Sequence, residues 1–308
     1  MAKRMLDCVS SDFIHFTKED YLSSIAGSEG RVVACECIGI TVPVLTDITN
    51  AEFAASMGAD ILLLNMFDVI KPVIQGLPRV APEETVKELK RLTGRMIGIN
   101  LEPVEDEMAE GNKGTLWEMS EGRRATLDNA VRAYEMGVDM VLLTGNPGNG
   151  VSNKAITDSL KAISSELKDK LILAAGKMHA SGVVGEGGEN IITKEDIRDF
   201  VDAGADIILL PAPGTVPGIT MEYVRELISY AHSLGVLTIT AIGTSQEGAD
   251  TDTIKQIALL CKMAGTDIHH IGDSGYPGMA APENIMAYSA AIRGVRHTYH
   301  RMAASINR

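Results

Sequence analysis

Residues 57–65, MGADILLLN, decide the fold. Gly58 follows a helical stretch and ends it, because glycine enters a left-handed cap without steric cost, and the chain then turns directly into an apolar run. The pattern recurs three times. Met136-Gly137-Val138-Asp139 precedes MVLLTG, Ala203-Gly204-Ala205-Asp206 precedes IILLP, and Ala264-Gly265-Thr266-Asp267 precedes IHHIGD. Each marks a helix-to-strand junction.

Working outward from these junctions gives eight apolar runs, at 31–38, 61–67, 95–103, 140–147, 171–179, 207–213, 236–244 and 268–275. The runs are continuously apolar rather than alternating, as strands buried on both faces must be. Between them lie segments of helical periodicity such as PEETVKELKRLTG (82–94) and TKEDIRDFVDAGAD (193–206), the latter opened by Thr193 with acidic residues behind it as a capping signal. Alternating strands and helices imply a parallel sheet, and eight units close one into a (β/α)8 TIM barrel. An open doubly wound sheet would want a G-x-G-x-x-G turn after the first strand, and none is present. Residues 1–30 form an N-terminal extension whose extra helix, Thr17 to Ile25, is expected under the barrel. No Pro/Ser-rich linker divides the chain, so 1–308 is expected to be a single domain.

The 308 residues are 45% apolar, and the formal charge of −13 argues against nucleic acid and anionic membranes as partners. No segment reaches the roughly 18 uncharged apolar residues of a membrane span. The start, MAKRMLDCVSSDF, lacks the apolar core of a secretory signal. Cys8, Cys35, Cys37 and Cys261 show no C-x-x-C spacing and read as reduced packing residues, so the expected compartment is the cytoplasm. Met-rich helices fit a homo-oligomer interface and ordinary core equally well.

In such a barrel function resides at the carboxyl ends of the strands. On strand 5, Ala175, Lys177 and His179 alternate and share one face. Pointing inward, Lys177 would be a Schiff-base nucleophile or electrophile beside His179. Glu36, between two cysteines that face the other way, and Glu102, on the face of Asn100, are the carboxylates able to act as base, salt-bridge partner or metal ligand. Strand 8 offers His269, His270, Asp273 and Ser274, and parity allows only one of the two histidines to reach the mouth. Gly243, Thr244 and Ser245 after strand 7, with Gly272, Ser274 and Gly275 after strand 8 and Gly214 after strand 6, suggest a phosphate cradle of backbone N–H groups and hydroxyls. Asp273 would repel a phosphate there unless paired. Asn65, Thr144 and Asn146 sit where they can orient a polar substrate. Residues 104–121, with Trp117, and 181–190 have the length and composition of lids.

NAEFAASMGADILLLNMFD (50–68), AGKMHASG (175–182), LLPAPGTVPGIT (209–220) and TAIGTSQEGADTDTIKQIA (240–258) resemble an uncharacterised bacterial TIM-barrel family often labelled haloacid dehalogenase-like hydrolase. That hydrolase chemistry needs a strand ending in D-x-D-x-T/V, which this chain lacks: LDCVSSD (6–12) has the wrong spacing. The resemblance implies a barrel and no settled activity. More distantly the chain resembles phosphosugar-binding barrels and, in its KMH segment, photosystem-biogenesis-type barrels.

The leading expectation is therefore an aldolase-like lyase or isomerase acting on a small phosphorylated carbonyl compound, with an anionic metabolite as partner. The alternatives are a divalent-metal lyase or hydrolase, with Mg²⁺, Mn²⁺ or Zn²⁺ on Glu36, Glu102 and His179, and a non-catalytic metabolite-binding barrel.

Overall fold

The computed structural model describes residues 3–105, 119–145, 150–180, 184–275 and 277–308. Eight strands form in the expected runs: β1 (Val32–Ile38), β2 (Ile61–Asn65), β3 (Met96–Leu101), β4 (Met140–Leu143), β5 (Ile172–Gly176), β6 (Ile207–Pro211), β7 (Leu237–Ile242) and β8 (Ile268–Ile271). Each pairs in parallel with the next, and β8 returns to β1 to close the barrel.

Among the described residues the helices are α1 (Ser10–Phe13), α2 (Lys18–Ala26), α3 (Asn50–Ser56), α4 (Thr85–Thr93), α5 (Leu127–Glu135), α6 (Asn153–Leu167), α7 (Lys194–Asp202), α8 (Met221–Ser233), α9 (Thr251–Ala264) and α10 (Pro282–Ala303). Thr17, Thr49 and Thr193 open α2, α3 and α7 with capping boxes, each hydroxyl accepting the N–H three residues on while that residue's carboxylate accepts the cap's own N–H. The four repeated glycines, Gly58, Gly137, Gly204 and Gly265, have φ of 108°, 94°, 107° and 98°, which a side chain would oppose. None of the described helices is long and apolar enough to cross a membrane.

Side chains sort by parity. Val32 and Ala34, Ile61 and Leu63, Met140 and Leu142, Ile172 and Ala174 point inward with their counterparts on the other strands and fill the barrel. Met5, Tyr21 and Ile25 of the N-terminal extension close it from below. Cys35, Cys37, Leu173 and Ala175 point outward into the layer under the helices. Burying one such Leu or Ile stabilises the fold by about 1.5–3 kcal/mol.

The repeated aspartates share one task at the amino ends of the strands. Asp60, Asp139, Asp206 and Asp267 accept the backbone N–H of Val33, Ile97, Leu173 and Thr238, one residue in each odd-numbered strand, at 2.8, 2.9, 2.8 and 2.8 Å. Each also holds a basic side chain. Asp60 takes Arg293 at 2.5 Å and Arg301 at 2.6 Å, Asp139 takes Lys90 at 2.6 Å, Asp206 takes Lys18 at 2.7 Å, and Asp267 takes His232 at 2.8 Å. Through Lys18 and Arg301 these clamps tie the N-terminal extension and the C-terminal helix to the barrel floor. Burial works against the Asp60 charge, but the two guanidiniums overcome it and hold the carboxyl below its ordinary range.

Candidate active site

The carboxyl ends of the strands open on a cavity of about 360 Å³. β1 places Glu36 there, because Glu36 has the inward parity of Val32 and Ala34. The side chain is 15% exposed, and it lines the cavity. Asn100 of β3 donates Nδ2 to Glu36 Oε1 at 2.6 Å and also reaches Asn65 Oδ1 of β2 at 3.2 Å. Asn65 in turn donates to Asp273 Oδ2 after β8 at 2.7 Å. A chain of amides thus links two carboxyl groups across the mouth. Burial, then the Asp273 charge, then those of Glu247 and Glu102 push the Glu36 carboxyl well above its ordinary range, against the Asn100 hydrogen bond.

The strand 8 histidines part as parity requires. His270 points inward, with Nε2 3.7 Å from Glu36 Oε2, and neither ring nitrogen has a hydrogen-bond partner. Burial lowers it to about 4. His269 points outward between Tyr288 Oη at 3.2 Å and the Gly30 carbonyl at 3.0 Å, and burial pushes it down to about 3. His269 is structural.

Strand 5 departs from the expected arrangement. Its inward positions are Ile172, Ala174, Gly176 and then Met178, so Lys177 carries the parity of the outward Leu173 and Ala175. Lys177 is 3% exposed and is not among the cavity-lining residues. His179 lies beyond the strand end, free of its alternation, and does line the cavity. Burial lowers its pKa, leaving a neutral imidazole at neutral pH. Gly176 is obligatory: a Cβ there would lie 2.1 Å from the Leu209 carbonyl oxygen.

Glu102 is 7% exposed and is held by Arg123 Nη2, a partner with no obvious sequence signal, since Arg123 reads as the start of a helical segment. Among the described residues no group of three or more His, Cys, Asp or Glu is disposed to hold a metal ion, and the trio Glu36, Glu102 and His179 is not brought together as one.

The glycine-rich ends of strands 7 and 8 do not present a vacant cradle. Gly243 N–H donates to Thr215 Oγ1 at 3.1 Å, Gly272 N–H to the Ile242 carbonyl at 2.9 Å, and Gly275 N–H to Asp273 Oδ1 at 2.7 Å. The Thr244 hydroxyl donates to the carbonyls of Thr215 and Gly243, at 2.6 and 2.7 Å. The amides of Glu247, Ser274 and Ser245 serve the Glu247 carboxylate, which is nevertheless raised by burial. Glu247 itself fills the place foreseen for an anion, and Gly272 is required beside it because a Cβ there would lie 2.8 Å from the Ile242 carbonyl oxygen. Gly243, Thr244, Gly272 and Asp273 line the cavity, whereas Gly214, Ser245, Ser274 and Gly275 do not. Thr144 and Asn65 also line it. Asn146, Trp117 and much of the two expected lids (106–118 and 181–183) lie outside the described residues.

Solved structures match the chain at low identity. An endo-β-1,4-mannanase from Thermotoga petrophila is 14% identical, with 87% of this chain and 78% of that chain covered and a TM-score of 0.52. A thiamine phosphate pyrophosphorylase from Pyrococcus furiosus is 12% identical, over 86% and 96% of the two chains, at 0.48. A protein of Burkholderia cenocepacia described as a lyase/mutase is 16% identical, over 83% and 81%, also at 0.48. The mannanase match speaks for the fold alone. No curated protein matches. The domain of unknown function DUF7916 matches residues 6–308, and the chain belongs to that family.

Proposed function

We propose that this member of the DUF7916 family is an enzyme, an isomerase or lyase that moves protons on a small carbonyl compound without forming an imine. The observation that carries the reading is the Glu36 carboxyl. It lines the cavity, is hydrogen-bonded by Asn100, and has its carboxyl pushed well above the ordinary carboxylate range by burial and by the surrounding carboxylates. A carboxylic acid kept neutral near pH 7 is suited to donate a proton to a carbonyl oxygen.

The complementary base is His179, neutral through burial and lining the same cavity. His179 takes a proton from the carbon beside the carbonyl while Glu36 protonates its oxygen, giving an enediol-type intermediate. In an isomerase, His179 returns the proton to the former carbonyl carbon while the other enediol hydroxyl gives its proton back to Glu36. In a lyase, the enediol instead expels a leaving group from the next carbon, which departs with the bonding pair and takes the proton from His179, while an enediol hydroxyl gives its proton back to Glu36. His270 positions Glu36 from beneath, Asn100 donates to Glu36 Oε1, and Asn65 accepts from Asn100 and so fixes its amide. A Schiff base has no support here, because Lys177 is not among the residues that line the cavity.

The test is exchange in D₂O. A panel of small hydroxy- and amino-carbonyl compounds is followed by NMR for loss of the carbon-bound proton. Exchange is expected with at least one of them, and to fall about 100-fold or more in Glu36→Gln and in His179→Asn. Borohydride added during turnover is expected to leave Lys177 unmodified. A reduced adduct on Lys177 would overturn the reading in favour of an imine.

A further inference from the structure

We propose that the ligand of this cavity carries a positive charge, a primary ammonium on a small hydroxylated skeleton, and not a phosphate. The inference rests on the site assigned above and names its substrate class.

The charge of the wall supports it. Beside the Glu36 acid, Glu102, Glu247 and Asp273 line the cavity, and the one cationic side chain among the described lining residues is Arg123, which is engaged by Glu102. Asp273 is met by an amide and a backbone N–H, and Glu247 by backbone N–H groups. Neither has a cationic partner among the described residues. A phosphate entering here would meet carboxylates, with the glycine-loop amides already engaged.

The hydrogen-bonding inventory points the same way, independently of charge. Glu247 and Asn100 line the cavity and are 5% and 6% exposed, and each has an acceptor oxygen without a partner, Glu247 Oε2 and Asn100 Oδ1. Buried acceptors without donors are costly, and a ligand rich in N–H and O–H groups relieves them. A primary ammonium brings three donors and no acceptor, and its bonds to carboxylates are charge-assisted. The reverse case among the lining residues is Arg123 Nε, a donor without a partner beside Glu102, suited to a substrate oxygen. A cavity of about 360 Å³ is at the small end of ligand sites, in keeping with a short skeleton.

The experiment uses the full chain and three probes of one three-carbon skeleton: serinol (cationic), glycerol (neutral) and glycerol 3-phosphate (anionic), with Mn²⁺ alone as a fourth. Calorimetry and thermal shift are expected to rank serinol above glycerol by about tenfold or more in Kd, with glycerol 3-phosphate weakest. Glu247→Gln and, should that variant fold poorly, Asp273→Asn are expected to remove most of the preference. Serinol binding no tighter than glycerol, or glycerol 3-phosphate binding tighter than either, would overturn the assignment. Mn²⁺ binding tighter than serinol and displacing it would overturn it as well, by giving the charge to a metal ion. None of the probes has a carbonyl group to turn over, so this result is separate from the exchange test of Glu36 and His179.

Discussion

Glu36 Oε2 and His270 Nε2 lie 3.7 Å apart inside the barrel, and burial acts on the two groups in opposite senses. It raises the carboxyl and lowers the imidazole, so each group is pushed toward its uncharged form. Burial therefore works against an ion pair at this contact and favours an acid resting on a neutral ring. That state keeps a proton available on Glu36 at the pH where an enzyme would need it.

This arrangement has a stability signature. Because the folded-state pKa of Glu36 is raised, its contribution is fully present below the ordinary carboxyl value of 4.5 and is lost as pH rises through the folded value. Glu36→Gln mimics the protonated form at every pH. The variant's melting temperature relative to wild type should therefore climb as pH rises above the ordinary carboxyl value of 4.5 toward the raised folded value, while proton exchange is lost. A difference that stays flat with pH would mean that Glu36 is ionised in the folded protein.

The buried histidines carry the opposite sign. His269 and His270 are lowered from 6.5 to about 3 and about 4, so their contribution is present in full above 6.5 and is lost as pH falls from there toward those values. Each costs about 1.4 kcal/mol per pH unit over that interval. Urea titrations at pH 7 and pH 5 should show wild type losing stability more steeply than His270→Asn, by about one proton's slope. Equal slopes would place His270 in contact with solvent.

The four aspartate clamps should differ in worth according to how their cations are buried. Asp60→Asn leaves the fully buried side chains of Arg293 and Arg301 without a counter-charge and should cost about 3–5 kcal/mol. Asp267→Asn loses a histidine whose side chain is 40% exposed and keeps an acceptor for Thr238, so it should cost about 1 kcal/mol or less. Chemical denaturation midpoints order the set, and Asp139→Asn and Asp206→Asn should fall between.

Two glycine-to-alanine changes separate packing from site shape. In Gly176→Ala the new methyl meets a backbone oxygen that cannot move aside, at a cost of about 3 kcal/mol or more. In Gly243→Ala it lies 2.4 Å from the Met178 Cε, the far end of a flexible side chain that lines the cavity. Met178 shifts, stability falls by less than about 1.5 kcal/mol, and probe binding weakens. Paired melting and calorimetry runs would reveal the reverse order if the assignment of faces were wrong.

The barrel is legible in the sequence because its signals are local: a glycine that ends a helix, an aspartate beside it, and a run of apolar residues repeat at each junction. Parity within the strands also carries through, placing Glu36, Asn65 and Asn100 inward with Cys35 and Cys37 outward. The reading loses ground where a strand ends. Counting alternation onward from Ala175 puts Lys177 and His179 on one face, but β5 stops at Gly176 and only His179 reaches the cavity. Glu247 and Arg123 lie in loops whose paths no periodicity dictates. An acidic residue two positions after Ser245, where a phosphate was expected, was the available hint that the protein supplies its own anion.

The clamps have a consequence for how such a molecule can change. Each joins an odd strand to the one after it, at the end of the barrel opposite the cavity, so the scaffold is fastened as four two-strand modules. Loops above the cavity can then be lengthened, recharged or exchanged with little effect on what holds the modules together. A lineage built this way is free to explore new substrates on one face while inheriting its architecture unchanged on the other.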